Sequence, residues 1–172
     1  VVVRDTVTHK GPMSNWLGDY SPWNNVNNFS TTVIGSYDPN FKEVNPKGTG
    51  PLGLISYTDS VLEYMVHFQN TGTYQAENIY VLDTLDDNLD WTTLMPGYMS
   101  HNGQVTVEQK GARKVVKFNF PNINLPAEMY EPIASNGMFT YTIKRNPGLA
   151  VGTQIKNSAS IYFDYNVPVK TN

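Results

Sequence analysis

Three groups of residues carry types and spacings that could do chemistry. The first is acidic. Asp83, Asp86, Asp87, Asn88 and Asp90 place five oxygen-bearing side chains within eight residues, and Asp38, Asn40 and Glu43 form a second cluster upstream. Calcium takes six to eight hard oxygen ligands, so both clusters are candidate calcium sites. The first lacks the ligand spacing and mid-loop glycine of the helix–loop–helix calcium loop, which keeps open the reading of a solvated acidic loop. At Asp38-Pro39-Asn40 the other reading is a turn, with Pro presetting φ and the flanking side chains bonding to backbone.

The second group pairs an amine with an amide. Ile155, Asn157, Ala159, Ile161 and Phe163 alternate along the last strand-like segment, which puts Asn157 on the apolar face. A buried amide must be hydrogen-bonded or it costs about 1–3 kcal/mol. A lysine such as Lys42, on a short leading strand, would attack the Asn157 side chain, with Asp83 or Glu63 as the proton shuttle. The product would be an intramolecular isopeptide bond, and it requires the lysine to be buried and low in pKa. The alternative is an amide bonded to neighbouring backbone. The third group is a repeated tripeptide of Asp, a hydroxyl residue and an aliphatic: Asp5-Thr6-Val7, Asp59-Ser60-Val61 and Asp83-Thr84-Leu85.

Nothing else in the chain suggests a reaction. His9, His67 and His101 lie in different segments, with no HExxH spacing, no Gly-x-Ser-x-Gly and no phosphate-binding glycine loop. No catalytic residue is expected. With no cysteine, disulfides, thiolate metal sites and cysteine nucleophiles are excluded. A net charge of −3 argues against a nucleic-acid partner, and no apolar run reaches the length of a membrane span. Of the basic residues only Lys110, Arg113, Lys114 and Lys117 crowd together, as the outer face of a hairpin. The chain opens without Met on a strand-like Val1-Val2-Val3-Arg4, which suggests a piece of a longer polypeptide or a mature, processed chain.

The elements that must position these residues are strands. At 172 residues and 40% hydrophobic content the chain can bury a full core, and its low charged fraction of 16% leaves polarity to Asn, Thr, Ser and Tyr, as in extracellular β-proteins. Leu62, Tyr64, Val66 and Phe68 alternate with Val61, Glu63, Met65 and His67. Asn70-Thr71-Gly72-Thr73 then reads as a reversal whose glycine supplies positive φ, followed by a strand over 78–82, giving a core hairpin that ends in the acidic loop. Further strands are expected at 1–8, 26–34, 41–44, 104–110, 114–120, 137–145 and 153–165. Between the first two lies a long loop over 11–25, and Trp16, Tyr20 and Trp23 there would suit a binding surface for carbohydrate or protein. Short strands between Gly, Pro and Asn turns indicate an all-β, immunoglobulin-like antiparallel sandwich. Residues 35–172 form that domain. Residues 1–34 are the closing strand pair of an adjoining module or an N-terminal extension.

Several stretches resemble a known family. These are Val33-Ile34-Gly35-Ser36-Tyr37-Asp38-Pro39-Asn40, His67-Phe68-Gln69-Asn70-Thr71-Gly72-Thr73, Asp83-Thr84-Leu85, Gly148-Leu149 with Gly152-Thr153, and the close from Ile155 to Asn172. Together they resemble a domain of unknown function found next to the type IX secretion sorting signal in Bacteroidota surface and secreted proteins, similar to the immunoglobulin-like repeat modules of bacterial cell-surface proteins. The resemblance implies a secreted, cell-surface, non-catalytic structural module such as a stalk, spacer or filament segment. Its partners would be neighbouring domains of the same polypeptide, other surface proteins or glycans, with no nucleic acid and no membrane insertion. An adhesion module and an accessory domain of a secreted hydrolase are the alternatives. The resemblance also implies that the Asp-Ser/Thr-aliphatic tripeptide is an O-glycosylation signal, with Thr84, Ser60 and Thr6 as acceptors. Phe41 stands where the family usually carries Asp, which weakens a calcium site at Asp38.

Overall fold

In the computed structural model the strand backbone of residues 2–8 and 26–32 is described, and residues 38–111 and 113–172 are described in full. The expected aromatic loop with Trp16, Tyr20 and Trp23, and the side chain of Thr6, lie outside the described residues. The chain separates into two compact units, Val1–Asp38 and Pro39–Asn172. In the first, β1 (Val2–Thr8) pairs antiparallel with β2 (Val26–Thr32), Val2 opposite Thr32.

The second unit is a two-sheet antiparallel sandwich of the immunoglobulin-like type, with no helix among the described residues. Its strands are β3 (Phe41–Asn45), β4 (Val61–Gln69), β5 (Ile79–Thr84), β6 (Leu89–Met99), β7 (Gln104–Lys110), β8 (Arg113–Phe120), β9 (Asn136–Arg145), β10 (Ser158–Phe163) and β11 (Val169–Lys170). One sheet runs β3-β4-β9-β6, the other β11-β10-β5-β8-β7. Each strand contributes alternate residues to the space between them, as a period of two requires. Leu62, Tyr64, Val66 and Phe68 come from β4; Phe139, Tyr141 and Ile143 from β9; Ile79 and Val81 from β5; Phe118 and Phe120 from β8; all are buried. Phe118 stacks across the gap on Phe139 with ring centroids 3.9 Å apart.

The structure corrects four expectations. First, β4 and β5 are not a hairpin. β4 pairs with β3 and β9, whereas β5 pairs with β10 and β8, so the segment between them crosses from sheet to sheet. Both strands have a buried face, and two such faces are better covered by facing each other than by lying edge to edge. Asn70 shapes the crossing: its Nδ2 donates to Tyr74 O and Leu125 O, at 2.8 and 2.9 Å, and its Oδ1 accepts from Gly72 N at 3.1 Å. Second, Gly72 is not in the left-handed region. It is small because a Cβ there would come within 3.0 Å of Asn70 Oδ1.

Third, the acidic run is not a loop throughout, because Asp83 and Thr84 finish β5 and Leu89 opens β6. Pro96 and Gly97 disguised β6 in the sequence. Proline is tolerated there because β6 is an edge strand, paired to β9 on one side and interrupted by register shifts. Fourth, the last long strand is shorter than expected. It begins at Ser158, and the chain turns at Asp164, where φ is 51°. The Asp164 carboxylate holds that turn by accepting from Asn78 N at 2.7 Å and Glu77 N at 3.2 Å. The short 7–8 turn is as expected, with Gly111 at φ 65°.

The stacked aromatic centre makes a direct prediction. Phe118→Ala should lower unfolding free energy by about 3–5 kcal/mol, seen as a fall in the urea midpoint. Val107→Ala on the exposed side of β7 should change it by less than about 0.5 kcal/mol. Similar losses for the two would contradict a core centred on this ring pair.

Candidate functional site

Period-two alternation along β5 turns Ile79, Val81 and Asp83 to the same side, so a carboxylate enters the core in register with two aliphatics. Alternation in β3 turns Lys42 inward while Phe41 and Glu43 stay at the outer face. The two side chains meet between the sheets: Lys42 Nζ forms an ion pair with Asp83 Oδ2, with side-chain exposures of 3% and 0%. Tyr141, from β9, joins them. Its Oη accepts from Lys42 Nζ at 3.0 Å and donates to Asp83 Oδ2 at 2.7 Å. Asn157, one residue before β10, donates from Nδ2 to the same Oη at 3.0 Å. Tyr64 closes the cluster from β4, its ring stacked on Tyr141 at 5.2 Å and 4.5 Å beneath the Lys42 ammonium.

The end of the chain packs against this cluster. Lys42 N donates to Asn172 Oδ1 at 2.9 Å, and Thr171 exchanges hydrogen bonds with Ala159 at 2.9 and 3.0 Å. Two buried side-chain oxygens among the described residues have no hydrogen-bond partner, Asp83 Oδ1 and Asn157 Oδ1. Both belong to this cluster. A buried polar atom without a partner is costly, so two in one place mark a site rather than a packing accident.

Burial acts against the charged forms of the lysine and of both tyrosines. Burial pushes the Lys42 amine below its ordinary value, against the opposing pull of Asp83. Burial raises Tyr141 well above its usual range, and the Asp83 carboxylate adds to the rise. Burial likewise lifts Tyr64 to about 12, opposed by the Asn157 amide and aided by the Asp83 and Asp86 charges. An amine whose pKa burial lowers, sharing an anchor with an amide, is a nucleophile near an electrophile, and the Asp83 carboxyl group beside the amine can move protons.

The other candidates are placed differently. Glu63 is on the exposed face of β4, away from the cluster. Asp83, sequestered with Lys42, does not join the acidic loop. In that loop Asp86 Oδ1 accepts from Asn88 N and Nδ2, both at 2.9 Å, and Asp86 Oδ2 accepts from Lys156 N at 2.8 Å. Asp90 Oδ1 accepts from Thr92 N and Oγ1 at 3.1 and 2.6 Å, and Asp87 is exposed. Asn40 is buried and its Oδ1 accepts from Gln69 N at 3.2 Å, while Asp38 is exposed. These oxygens cap turns and strand ends, and no three His, Asp or Glu among the described residues stand together as a metal site. Ser60 is exposed, and Thr84 is half-buried on the outer face of β5.

Sequence reasoning passed over Tyr141 and Tyr64 as site residues, because an inward tyrosine in an alternating strand reads as core. The available signal was the polar tip: a buried tyrosine hydroxyl needs a partner, and Asn157 and Lys42 were the polar residues with inward register.

The tyrosines set a pH dependence. A group whose pKa is higher in the folded than in the unfolded state contributes stability fully present below its unfolded value and lost as pH rises through the folded one. For Tyr64 that window runs from the ordinary 10.0 to about 12. The urea midpoint should therefore fall between pH 10 and 12, and Tyr64→Phe should make that fall shallower. A variant with the wild-type slope would exclude Tyr64 as a contributor.

The fold has relatives among solved structures. The fimbrial protein FimP from Actonomyces oris has a TM-score of 0.54 at 11% identity, covering 77% of this chain and 36% of that one. The major pilin SpaA of Corynebacterium diphtheriae, whose structure points to a modular pilus assembly stabilizing isopeptide bonds, has a TM-score of 0.46 at 15% identity over 75% of this chain and 32% of that one. The endoglucanase CelQ from Clostridium thermocellum gives 0.46 at 8% identity, over 82% and 27%. The chain thus spans between about a quarter and a third of the length of these proteins. At 11% identity the likeness to FimP speaks for the sandwich fold alone. No curated protein matches the sequence. A family profile does match it over residues 38–172, most of the chain and all of the sandwich, and the protein accordingly belongs to the family described as a domain of unknown function, DUF7619.

Proposed function

We propose that this chain is a non-catalytic structural module, a stalk, spacer or filament segment, of a large bacterial surface or secreted protein. The observation that carries the reading is where the polar chemistry lies. Lys42, Asp83 and Tyr141 are buried between the sheets and bond to one another across them. They bind sheet to sheet inside a closed core, which serves mechanical integrity. The fold shared with a fimbrial protein at a TM-score of 0.54 supports the same reading. The family resemblance of the sequence extends it to export by the type IX route in Bacteroidota. Under that route Ser60 is the best-placed glycan acceptor, being exposed directly after Asp59, with Thr84 half-buried and less accessible.

A second reading, an adhesion module, is favoured by one feature. A hollow of about 790 Å³ beside β3 is lined by Val44, Pro46, Leu54, Ile55 and Met65, with Glu43 and Asp59 at its margin. Pockets of that volume suit small ligands or a short peptide.

Antibody raised against residues 38–172 should label intact cells of the source organism, and brief external protease should remove the label. Labelling only after the cells are permeabilised would overturn a surface location for the module, whatever its chemistry.

A further inference from the structure

We propose that Lys42 and Asn157 are the two ends of an intramolecular isopeptide bond that the folded chain forms by itself, with Asp83 as the proton-transfer group and Tyr141 as the positioning residue. The inference goes beyond the module's role and does not depend on where the protein resides, since it stands on the geometry of the buried cluster.

Four observations converge on it. The Lys42 amine and the Asn157 amide nitrogen each lie 3.0 Å from one atom, Tyr141 Oη, so the two side chains are neighbours held by a common anchor. Asp83 contacts the amine directly and the anchor at 2.7 Å. The cluster is walled by the rings of Tyr64 and Tyr141, with Lys42 and Asp83 buried and Asn157 half-buried. Finally, the oxygens without partners are Asp83 Oδ1 and the Asn157 carbonyl Oδ1, one from the carboxyl group and one from the electrophile.

The chemistry balances without an outside reagent. The Lys42 ammonium gives a proton to Asp83, leaving a neutral amine and a carboxylic acid. The amine lone pair attacks Asn157 Cγ while the acid hydrogen-bonds the carbonyl oxygen, where negative charge develops. A proton passes from the attacking nitrogen through Asp83 to the amide nitrogen. The Cγ–Nδ2 bond breaks, ammonia departs, the carbonyl re-forms, and the Nζ–Cγ bond remains. Nothing is oxidised or reduced. The reacting groups are held together only after both sheets have packed, so the fold supplies the proximity that an intermolecular amine lacks. The product joins β3 in one sheet to the residue preceding β10 of the other.

The test is the intact mass of the purified, folded 172-residue chain. Loss of ammonia leaves it about 17 Da below the sequence mass. Succinimide formation at Asn102-Gly103 or Asn136-Gly137 would give the same loss, so peptide mapping must recover the Lys42 and Asn157 peptides as one branched species. Lys42→Ala and Asp83→Ala should each restore the full mass. Asn157→Asp, which keeps size and an acyl carbon at the site, should lose water instead, about 18 Da. If a variant fails to fold, the wild-type mass together with recovery or absence of the branched Lys42–Asn157 peptide decides the matter. A full sequence mass, or a 17 Da loss that survives Lys42→Ala, overturns the proposal. A loss that survives Asp83→Ala overturns the role given to Asp83.

Discussion

A lysine and a carboxylate facing each other inside an apolar sandwich impose the constraint to which the rest of this structure conforms. Neither charge can be left alone there: a buried pair contributes little net stability, but removal of one partner strands the other. Lys42 comes from one sheet and Asp83 from the other. Slipping either strand by one residue would send its charged group to the outer face and leave its counterpart in the core. The pair therefore fixes the register of β3 against β4 and of β5 against β10 and β8 together, which apolar alternation alone specifies less strictly.

The remainder of the core is arranged around that pair. Tyr64 and Tyr141 lie directly opposite each other on β4 and β9 and turn both rings toward Lys42. Below them the packing becomes purely apolar, through Phe118, Phe139, Phe120 and Phe68. Gly137 is part of that arrangement, since a Cβ there would collide with the Phe68 ring. The C-terminal Thr171 and Asn172 then bind Ala159 and Lys42, so the last residues reach both sheets at the level of the cluster.

Much of this was legible from residue types in order. Alternation in β4, β9 and β10 identified the inward residues, including Asn157, and the Gly111 turn identified the β7–β8 hairpin. Asn157 was nameable because it is a polar residue whose register points inward, and Lys42 and Asp83 were named with it as the amine of the leading strand and a nearby carboxylate. The acidic run misled for the opposite reason. Asp83, Asp86 and Asp90 look alike in sequence, but β5 carries Asp83 into the core while Asp86 and Asp90 cap backbone outside it. The β4–β5 connection was misread because a turn sequence does not say whether the next strand returns alongside its predecessor or faces it from another sheet.

The sequence by itself determined that the chain is all-β, which face of most strands is buried, and which residue types are present to react. These properties follow from local sterics and period-two patterning, which need no partner strand to be read. Only the tertiary structure decided which carboxylate meets which amine. Asp83 rather than Glu63 stands beside Lys42, and Tyr141 joins both to Asn157, because sheet order and register bring together residues 16 to 115 positions apart. Sheet order is set by how buried faces cover one another across the whole domain, and that information lies in no single segment.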